Sequence, residues 1–157
     1  MVTPTLPPFQ RLLDEHAAAL HRFCVVQAGP HAGPDCFQET VIAALRAYPA
    51  LRDDTNLRGW LFTIAARKVI DHQRAASRRP VLVAAPPDAP SVDPAPVDGD
   101  LWAAVAELPD KQRIAIAMRY LGDLPYAEIA VALDCSEAAA RQNVRAGLAS
   151  LRVEVTR

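Results

Sequence analysis

One segment near the middle of this 157-residue sequence divides the chain into two parts. Six of the 14 prolines lie between Pro80 and Pro96, and residues 80–100 contain four aspartates and no lysine or arginine. Such a stretch has too little apolar bulk to fold alone, and its prolines oppose regular backbone hydrogen bonding. We therefore predict a flexible acidic linker at 80–100, able to span about 70 Å when extended, between small domains at 1–79 and 101–157.

The composition is that of a globular protein, with 51% hydrophobic and 22% charged residues. No apolar run approaches the roughly 20 residues of a membrane span, and the N-terminal sequence MVTPTLPPFQ lacks the basic start and apolar core of a signal peptide. A cytoplasmic protein is therefore expected. The net charge of −1 is unevenly distributed: residues 1–79 carry +3, residues 80–100 carry −4, and residues 101–157 are neutral. This separation indicates that the segments meet different partners.

The sequence contains no pattern that predicts a metal site, a cofactor or catalysis. The three cysteines, Cys24, Cys36 and Cys135, are an odd number without CxxC spacing, which argues against a disulfide framework. His21 lies three residues before Cys24, but nothing nearby has the spacing of a closed zinc site. A Gly-rich phosphate loop, a nucleophile elbow and a paired-carboxylate motif are all missing from the sequence. We therefore predict no metal, no cofactor and no enzymatic activity.

Hydrophobic periodicity predicts three helices in the first domain. A helix from Phe9 to about Gln27 is followed by a break at Gly29-Pro30, and a second helix begins at Gly33-Pro34-Asp35, since proline in a first turn costs no hydrogen bond. The predicted buried face of the second helix contains Phe37, Val41, Ala44, Leu45 and Tyr48. The apolar stripe of a third helix contains Leu57, Trp60, Leu61 and Ile64. Beyond Ile64 the outer face becomes a mostly cationic ridge, formed by Arg67, Asp71, Arg74 and Arg78.

The second domain is predicted to end in a helix-turn-helix. A short helix opens at Pro125, a tight break follows at 134–136, and Ser136 is placed to cap the final helix. The predicted buried stripe of that helix contains Ala140, Val144, Leu148 and Leu151. Its opposite face contains Ala138, Gln142, Arg145 and Ala149, with Arg141 on the flank. A recognition helix presents such a face to the major groove of DNA.

Two blocks of the sequence resemble the extracytoplasmic-function (ECF) subfamily of sigma-70 RNA polymerase sigma factors. The first block is DCFQETV at 35–41, LRGWLFTIA at 57–65 and VIDHQR at 69–74, and it looks like region two of these proteins. The second is LPDKQR at 108–113, RYL at 119–121 and LPYAEIA at 124–130 with the following helix, and it is similar to region four. The two blocks stand in the family's order and cover most of the chain outside the linker.

The resemblance implies a protein that binds core RNA polymerase, promoter DNA and, in this family, an anti-sigma factor. Residues that it assigns to polymerase binding are Asp35, Gln38, Glu39 and Thr40. Residues that it assigns to the minus-ten element are Asp54, Thr55, Asn56, Arg58, Arg67, Lys68, Arg74 and Arg78. Residues that it assigns to the minus-thirty-five element are Ser136, Ala138, Arg141, Gln142 and Arg145. The linker is long enough for both DNA elements to be bound at once. Two elements about one and a half helical turns apart are separated by roughly 50–60 Å, and the extended linker spans about 70 Å.

Several residues keep a second interpretation at this stage. Trp60 is either a core residue or a platform for a flipped base, and Asp71 either pairs with Arg67 and Arg74 or takes part in DNA binding. The family usually has Arg-Asn at 66–67, and it has basic residues where this chain has AGLA at 146–149, so weaker phosphate contacts are expected.

The alternative function is a stand-alone helix-turn-helix regulator, which would account for the second domain and leave the first without a role.

Overall fold

The computed structural model describes residues 6–52, 56–78 and 99–155, and within these ranges the fold is all-α, as predicted. The elements are α1 (Phe9–Ala47), a 3-10 turn (Tyr48–Ala50), α2 (Leu57–Arg78), α3 (Gly99–Ala106), α4 (Asp110–Tyr120), α5 (Tyr126–Leu133) and α6 (Glu137–Val155). The predicted linker lies outside the described residues, except that its last two positions, Gly99 and Asp100, already belong to α3. Helices α1 and α2 form the N-terminal half, and α3 to α6 form the C-terminal half.

A kink at Gly29 divides α1 into two arms. Gly29 has φ +89°, a backbone conformation that side chains disfavour, and the predicted break is therefore confirmed. The second arm begins at once with Pro30 and continues through Pro34, so the start predicted at Gly33 is three residues late. Gly33 lets the arms meet, because a Cβ there would lie 2.6 Å from the Cα of Val25.

The buried face of the second arm is shifted from the predicted one. Its fully buried residues are Gly33, Cys36, Thr40 and Ala44. Leu45, predicted to be in the core, is 54% exposed. The small side chains on the buried face allow close packing between the arms, and the larger Phe37 and Val41 lie only half-buried beside it. The predicted helical periodicity was therefore right, but the buried face is centred about one residue earlier in the sequence than predicted.

Helix α2 packs along α1 through its own apolar face. Asn56 caps its start by accepting a hydrogen bond from the Gly59 N–H at 3.0 Å. Phe62, Ala65, Ala66 and Val69 are fully buried. The ring of Phe62 stands edge-on to Phe23, with 5.5 Å between ring centroids. Trp60 is half-buried and lies 5.9 Å from the ring of Tyr48, so Trp60 belongs to the packing of this half.

The helix-turn-helix is formed by α5 and α6, as predicted. Pro125 stands at the start of α5 and Asp134 ends it with φ +52° in the left-handed region. The Ser136 hydroxyl then accepts a hydrogen bond from the Ala139 N–H at 3.0 Å, which confirms the predicted cap of α6. On α6, the side chains that are buried in the core are those of Ala140, Val144 and Leu151. Leu148 is half-buried and packs against this core.

Candidate nucleic-acid interface

The outer face of α6 is available for a ligand. Ala138, Arg141, Gln142 and Arg145 are all exposed, on the side opposite the buried stripe. Ser136 is also exposed, but its hydroxyl is occupied by the cap of α6. Arginine and glutamine on such a face are side chains that pair bidentately with guanine and adenine, respectively. Arg141, Gln142 and Arg145 are thus accessible to a ligand, whereas the hydroxyl of Ser136 is used in capping α6.

Tyr126, a member of the LPYAEIA block at 124–130, is a neighbour of this face that was not among the predicted site residues. The guanidinium carbon of Arg141 lies 5.3 Å from the centroid of the Tyr126 ring, and that of Arg119 lies 4.8 Å from it. Arg141 also forms an ion pair with Glu137 at 2.7 Å. Arg119 in turn donates a hydrogen bond to the carbonyl of Leu124, at 3.0 Å. These contacts therefore restrict the orientation of the Arg141 guanidinium in the absence of a ligand.

The second cationic surface lies on α2. Arg67, Arg74 and Arg78 are exposed along one side, and Lys68 is half-buried next to them. Within the described ranges, Asp71 is not within ion-pair distance of Arg67 or Arg74, so the ion-pair interpretation of Asp71 is wrong. The arginines remain free of intramolecular charge partners there, which suits contacts to phosphates.

The predicted minus-ten loop is only partly described, since Asp54 and Thr55 lie outside the described residues. Asn56 is exposed and caps α2. The Arg58 guanidinium does not point into solvent, because its Nη2 donates a hydrogen bond to the carbonyl of Leu121, at the end of α4, over 2.9 Å. Sequence reasoning placed Arg58 in a DNA site, but could not show this contact with the C-terminal half.

A third exposed surface lies on the second arm of α1. Asp35, Gln38 and Glu39 are exposed there, as the predicted polymerase contact requires. Thr40 is not part of that surface: its side chain is fully buried, and its hydroxyl donates a 2.7 Å hydrogen bond to the carbonyl of Cys36. This corrects the predicted role of Thr40. We define the clamp surface as the exposed residues Asp35, Gln38, Glu39, Ile42 and Leu45.

Ile42 and Leu45 are members of the clamp surface that the sequence analysis missed. They are 49% and 54% exposed, although both are large aliphatic residues. Their positions, three to seven residues after Gln38 and Glu39, continue one side of the helix. Exposed aliphatic groups bordered by charges are typical of protein interfaces. The signal that could have identified them is the spacing 35, 38, 42, 45 along one helical face.

The cysteines show no arrangement suited to a metal. Burial raises the pKa of Cys24 to about 12, with the neighbouring Cys36 thiol adding to the rise and a hydrogen bond with Thr40 opposing it. Burial also raises the pKa of Cys36, and so do Glu39 and Asp35. Among the described residues, no group of three or more His, Cys, Asp or Glu side chains has metal-binding geometry. None of the described helices is long and apolar enough to cross a membrane.

Comparison with known proteins agrees with this arrangement. Residues 10–79 match the family Sigma-70 region 2, and residues 98–151 match Sigma-70, region 4. The chain is 32% identical over 152 residues to the ECF RNA polymerase sigma factor SigL of Mycobacterium tuberculosis, covering 90% of this chain and 85% of that protein. It is 28% identical over 137 residues to the ECF RNA polymerase sigma-E factor of Salmonella typhimurium, covering 71% and 67% respectively.

Two solved structures share the fold. The sigma factor RpoE from Bartonella quintana, crystallised with the anti-sigma factor NepR, superposes with a TM-score of 0.77 at 21% identity, over 94% of this chain and 96% of that one. CnrH in complex with the cytosolic domain of CnrY superposes with a TM-score of 0.67 at 19% identity, over 94% and 87%. At these identities the likeness shows the fold and not the details of any site.

Proposed function

Because the chain belongs to the ECF family of RNA polymerase sigma factors, we propose that each of its three exposed surfaces has one task in transcription initiation. The clamp surface binds core polymerase, the arginine side of α2 binds the minus-ten element, and the outer face of α6 binds the minus-thirty-five element. The protein acts as a DNA-binding subunit in the cytoplasm and carries out no chemical step of its own.

One observation carries this proposal: a helix-turn-helix and a region-two helical pair occur in the same chain, each with an exposed face that carries charged side chains. A stand-alone regulator would need only the first of these. The clamp surface and the α2 arginines would then have no partner. We therefore favour a factor that binds DNA at two elements while it is attached to polymerase.

The physical basis of the minus-ten step is the cost of separating paired and stacked bases. A protein offsets that cost by holding an extruded base in a polar pocket and by neutralising the backbone of the exposed strand. The loop that contains Asn56 would supply the pocket. Arg67, Arg74 and Arg78 would supply the cations, since they are exposed on one side of α2.

The minus-thirty-five step is a direct reading of base edges. Arg141, Gln142 and Arg145 stand on the outer face of α6 and can reach into a major groove. Few other cations lie on this helix, and the whole chain carries a net charge of −1. The isolated protein is therefore expected to bind promoter DNA weakly, and polymerase is expected to supply much of the affinity.

An anti-sigma factor is a further proposed partner. The RpoE structure that shares this fold was solved in complex with the anti-sigma factor NepR. The clamp surface offers a suitable site, because it combines exposed Ile42 and Leu45 with the carboxylates of Asp35 and Glu39. Binding there would block polymerase by direct competition.

The decisive experiment is run-off transcription with bacterial core polymerase on a library of promoter fragments, with and without this protein. Start sites that appear only with the protein are the expected result, and their upstream sequences would define both elements. Duplex binding without any initiation would overturn the proposal in favour of the stand-alone regulator.

A pair of matched variants tests whether the clamp surface is needed for transcription. Glu39→Arg reverses one exposed charge on that surface, and Glu15→Arg makes the same change at an exposed position on the first arm of α1. Transcription is expected to fall with Glu39→Arg and to remain with Glu15→Arg. Equal activity of both variants would remove Glu39 from the polymerase contact.

A further inference from the structure

The second helix of the helix-turn-helix begins with an acidic residue that was not among the predicted site residues. Glu137 is the first residue of α6 and directly follows the cap at Ser136. Its side chain is 48% exposed, one helical turn before Arg141 and on the same side of α6. In a helix-turn-helix, the N-terminal residues of the second helix are the ones that contact base edges. Glu137 therefore occupies a position that can reach the major groove.

A carboxylate at this position opposes DNA binding unless it has a partner on the DNA. The phosphates on both sides of the groove repel it, and the protein gains affinity mainly from cations. Glu137 does stabilise the start of α6, because a negative charge in the first turn interacts favourably with the helix dipole. An exposed ion pair with Arg141 adds little to that stability. Helix stability is thus a weak reason for an acidic group on this face.

Glu137 and Tyr126 together restrict the side chain of Arg141. Arg141 Nη2 donates a hydrogen bond to Glu137 Oε1 at 2.7 Å, and its guanidinium carbon lies 5.3 Å from the centroid of the Tyr126 ring. Within the part of the chain that the structure describes, Arg141 Nε and Nη1 and Glu137 Oε2 make no hydrogen bond. The pair therefore presents unused donors directly beside an unused acceptor.

A G·C base pair presents the complementary groups in the major groove. Guanine has two neighbouring acceptors, N7 and O6, and its cytosine has the N4 amino donor next to them. Arginine donates bidentately to such a guanine, and glutamate accepts from such a cytosine. An A·T pair has its amino donor between two acceptors, so it offers no adjacent acceptors for the guanidinium. The neighbouring charges of Arg141 and Glu137 therefore match a G·C pair.

The carboxylate of Glu137 also disfavours incorrect base pairs. Where a carbonyl oxygen such as thymine O4 replaces the cytosine amino group, Glu137 would lose water without gaining a donor. An unpaired charged group costs the full free energy of its desolvation, which exceeds the net gain from a typical hydrogen bond. Selectivity of this kind depends on the penalty for the wrong base pair as well as on the contact with the right one.

We propose that Glu137 and Arg141 together read one G·C base pair of the minus-thirty-five element. Arg141 contacts the guanine, and Glu137 accepts a hydrogen bond from the N4 amino group of the paired cytosine. This assignment rests on the proposed function, because it places α6 on that element. Glu137 is then a specificity-determining residue whose charge lowers the affinity for DNA in general and raises the preference for G·C at one position.

Two substitutions at Glu137 separate base reading from the electrostatic effect of its charge. Glu137→Ala removes both the charge and the acceptor, whereas Glu137→Gln removes the charge and retains an acceptor oxygen. Glu107→Ala is the matched control, since it removes an exposed carboxylate from the turn between α3 and α4. Circular dichroism and thermal melting should show that all variants are folded, so that unfolding is not mistaken for a change in specificity.

The test measures holoenzyme affinity for promoters found in the run-off experiment, with each base pair of the upstream element changed in turn. Wild type and Glu107→Ala should prefer G·C at one position by about thirtyfold. Glu137→Ala should retain a preference of only about threefold there and bind the changed promoters more tightly than wild type does. Glu137→Gln should retain more of the preference, and Arg141→Ala should lose it at the same base pair.

Three results would overturn the inference. A wild-type base preference in Glu137→Ala would show that Glu137 does not read DNA. An equal loss of affinity for all promoters would restrict Glu137 to the support of Arg141 and of the helix start. Loss of preference at different base pairs in Glu137→Ala and Arg141→Ala would exclude a shared G·C pair. All three differ from a failure of the proposed function, in which wild type itself starts no transcription in the run-off experiment.

Discussion

The guanidinium of Arg141 lies over the ring of Tyr126, with 5.3 Å between the guanidinium carbon and the ring centroid. Tyr126 belongs to the first helix of the helix-turn-helix and Arg141 to the second, so the contact joins the two. A second arginine, Arg119 of α4, lies 4.8 Å from the same centroid. The ring therefore restricts the orientation of an arginine side chain that we propose contacts the minus-thirty-five element.

We expect Tyr126→Leu to weaken minus-thirty-five recognition. The loss of an exposed cation–π contact of about 0.5–1 kcal/mol corresponds to a two- to fivefold weaker holoenzyme binding. Tyr126→Phe retains the ring face and should bind as wild type does. The measurement is holoenzyme affinity for promoters with single-base changes in the upstream element. If Arg141→Ala weakens binding and Tyr126→Leu does not, the ring has no role in positioning Arg141.

Leu45→Asp should lower the affinity for core polymerase by roughly tenfold, because a charge would be buried in an apolar part of the contact. The melting temperature should stay near that of wild type, since Leu45 is 54% exposed. Leu101→Asp is the matched control at another exposed leucine, 41% exposed on α3. Polymerase affinity by fluorescence anisotropy checks the prediction, and equal affinities for both variants would contradict it.

Arg74→Ala should reduce the salt dependence of promoter binding by the holoenzyme. Loss of one phosphate contact to a single strand lowers the slope of log K against log salt by about 0.7. Arg11→Ala removes an exposed charge from the first arm of α1, away from the α2 arginines, and should leave the slope unchanged. If Arg74→Ala leaves this slope unchanged, Arg74 does not contact a DNA phosphate.

Cys24 should be inert toward thiol reagents in the folded protein. With its pKa raised to about 12 by burial, its thiolate fraction near pH 8 is on the order of 10⁻⁴. Only the half-exposed Cys135 should react quickly with a chromogenic disulfide reagent, and all three thiols should react in urea. Cys135→Ser should abolish the fast phase. A second rapid thiol in the native protein would show that the arms of α1 open readily.

Gly33→Ala should destabilise the protein by about 1–3 kcal/mol, as overpacking does in a close-packed core. The added Cβ would lie 2.6 Å from the backbone of Val25, which cannot move away without shifting the first arm of α1. Urea unfolding followed by circular dichroism measures the change. Wild-type stability in the variant would mean that the two arms are less tightly packed than described.

Much of the fold followed from local patterns. The break at Gly29, the cap at Ser136 and the exposed face around Gln142 depend on backbone conformation and helical period within a few residues. Such short-range preferences are encoded in the sequence itself. The identity of the buried face on the second arm of α1 was not encoded in this way. Leu45 and Ala44 are both apolar, so only the packing partner decides which of them is buried.

The sequence by itself determined that the described parts of the chain are helical and that sigma-factor patterns lie on both sides of a stretch rich in proline and aspartate. Only the tertiary structure decided that Thr40 is buried, that Tyr126 lies beneath Arg141, and that Arg58 bonds to Leu121. These facts join residues far apart in the chain, and periodicity contains no information about which distant faces meet. That choice depends on the shape and polarity of both surfaces at once.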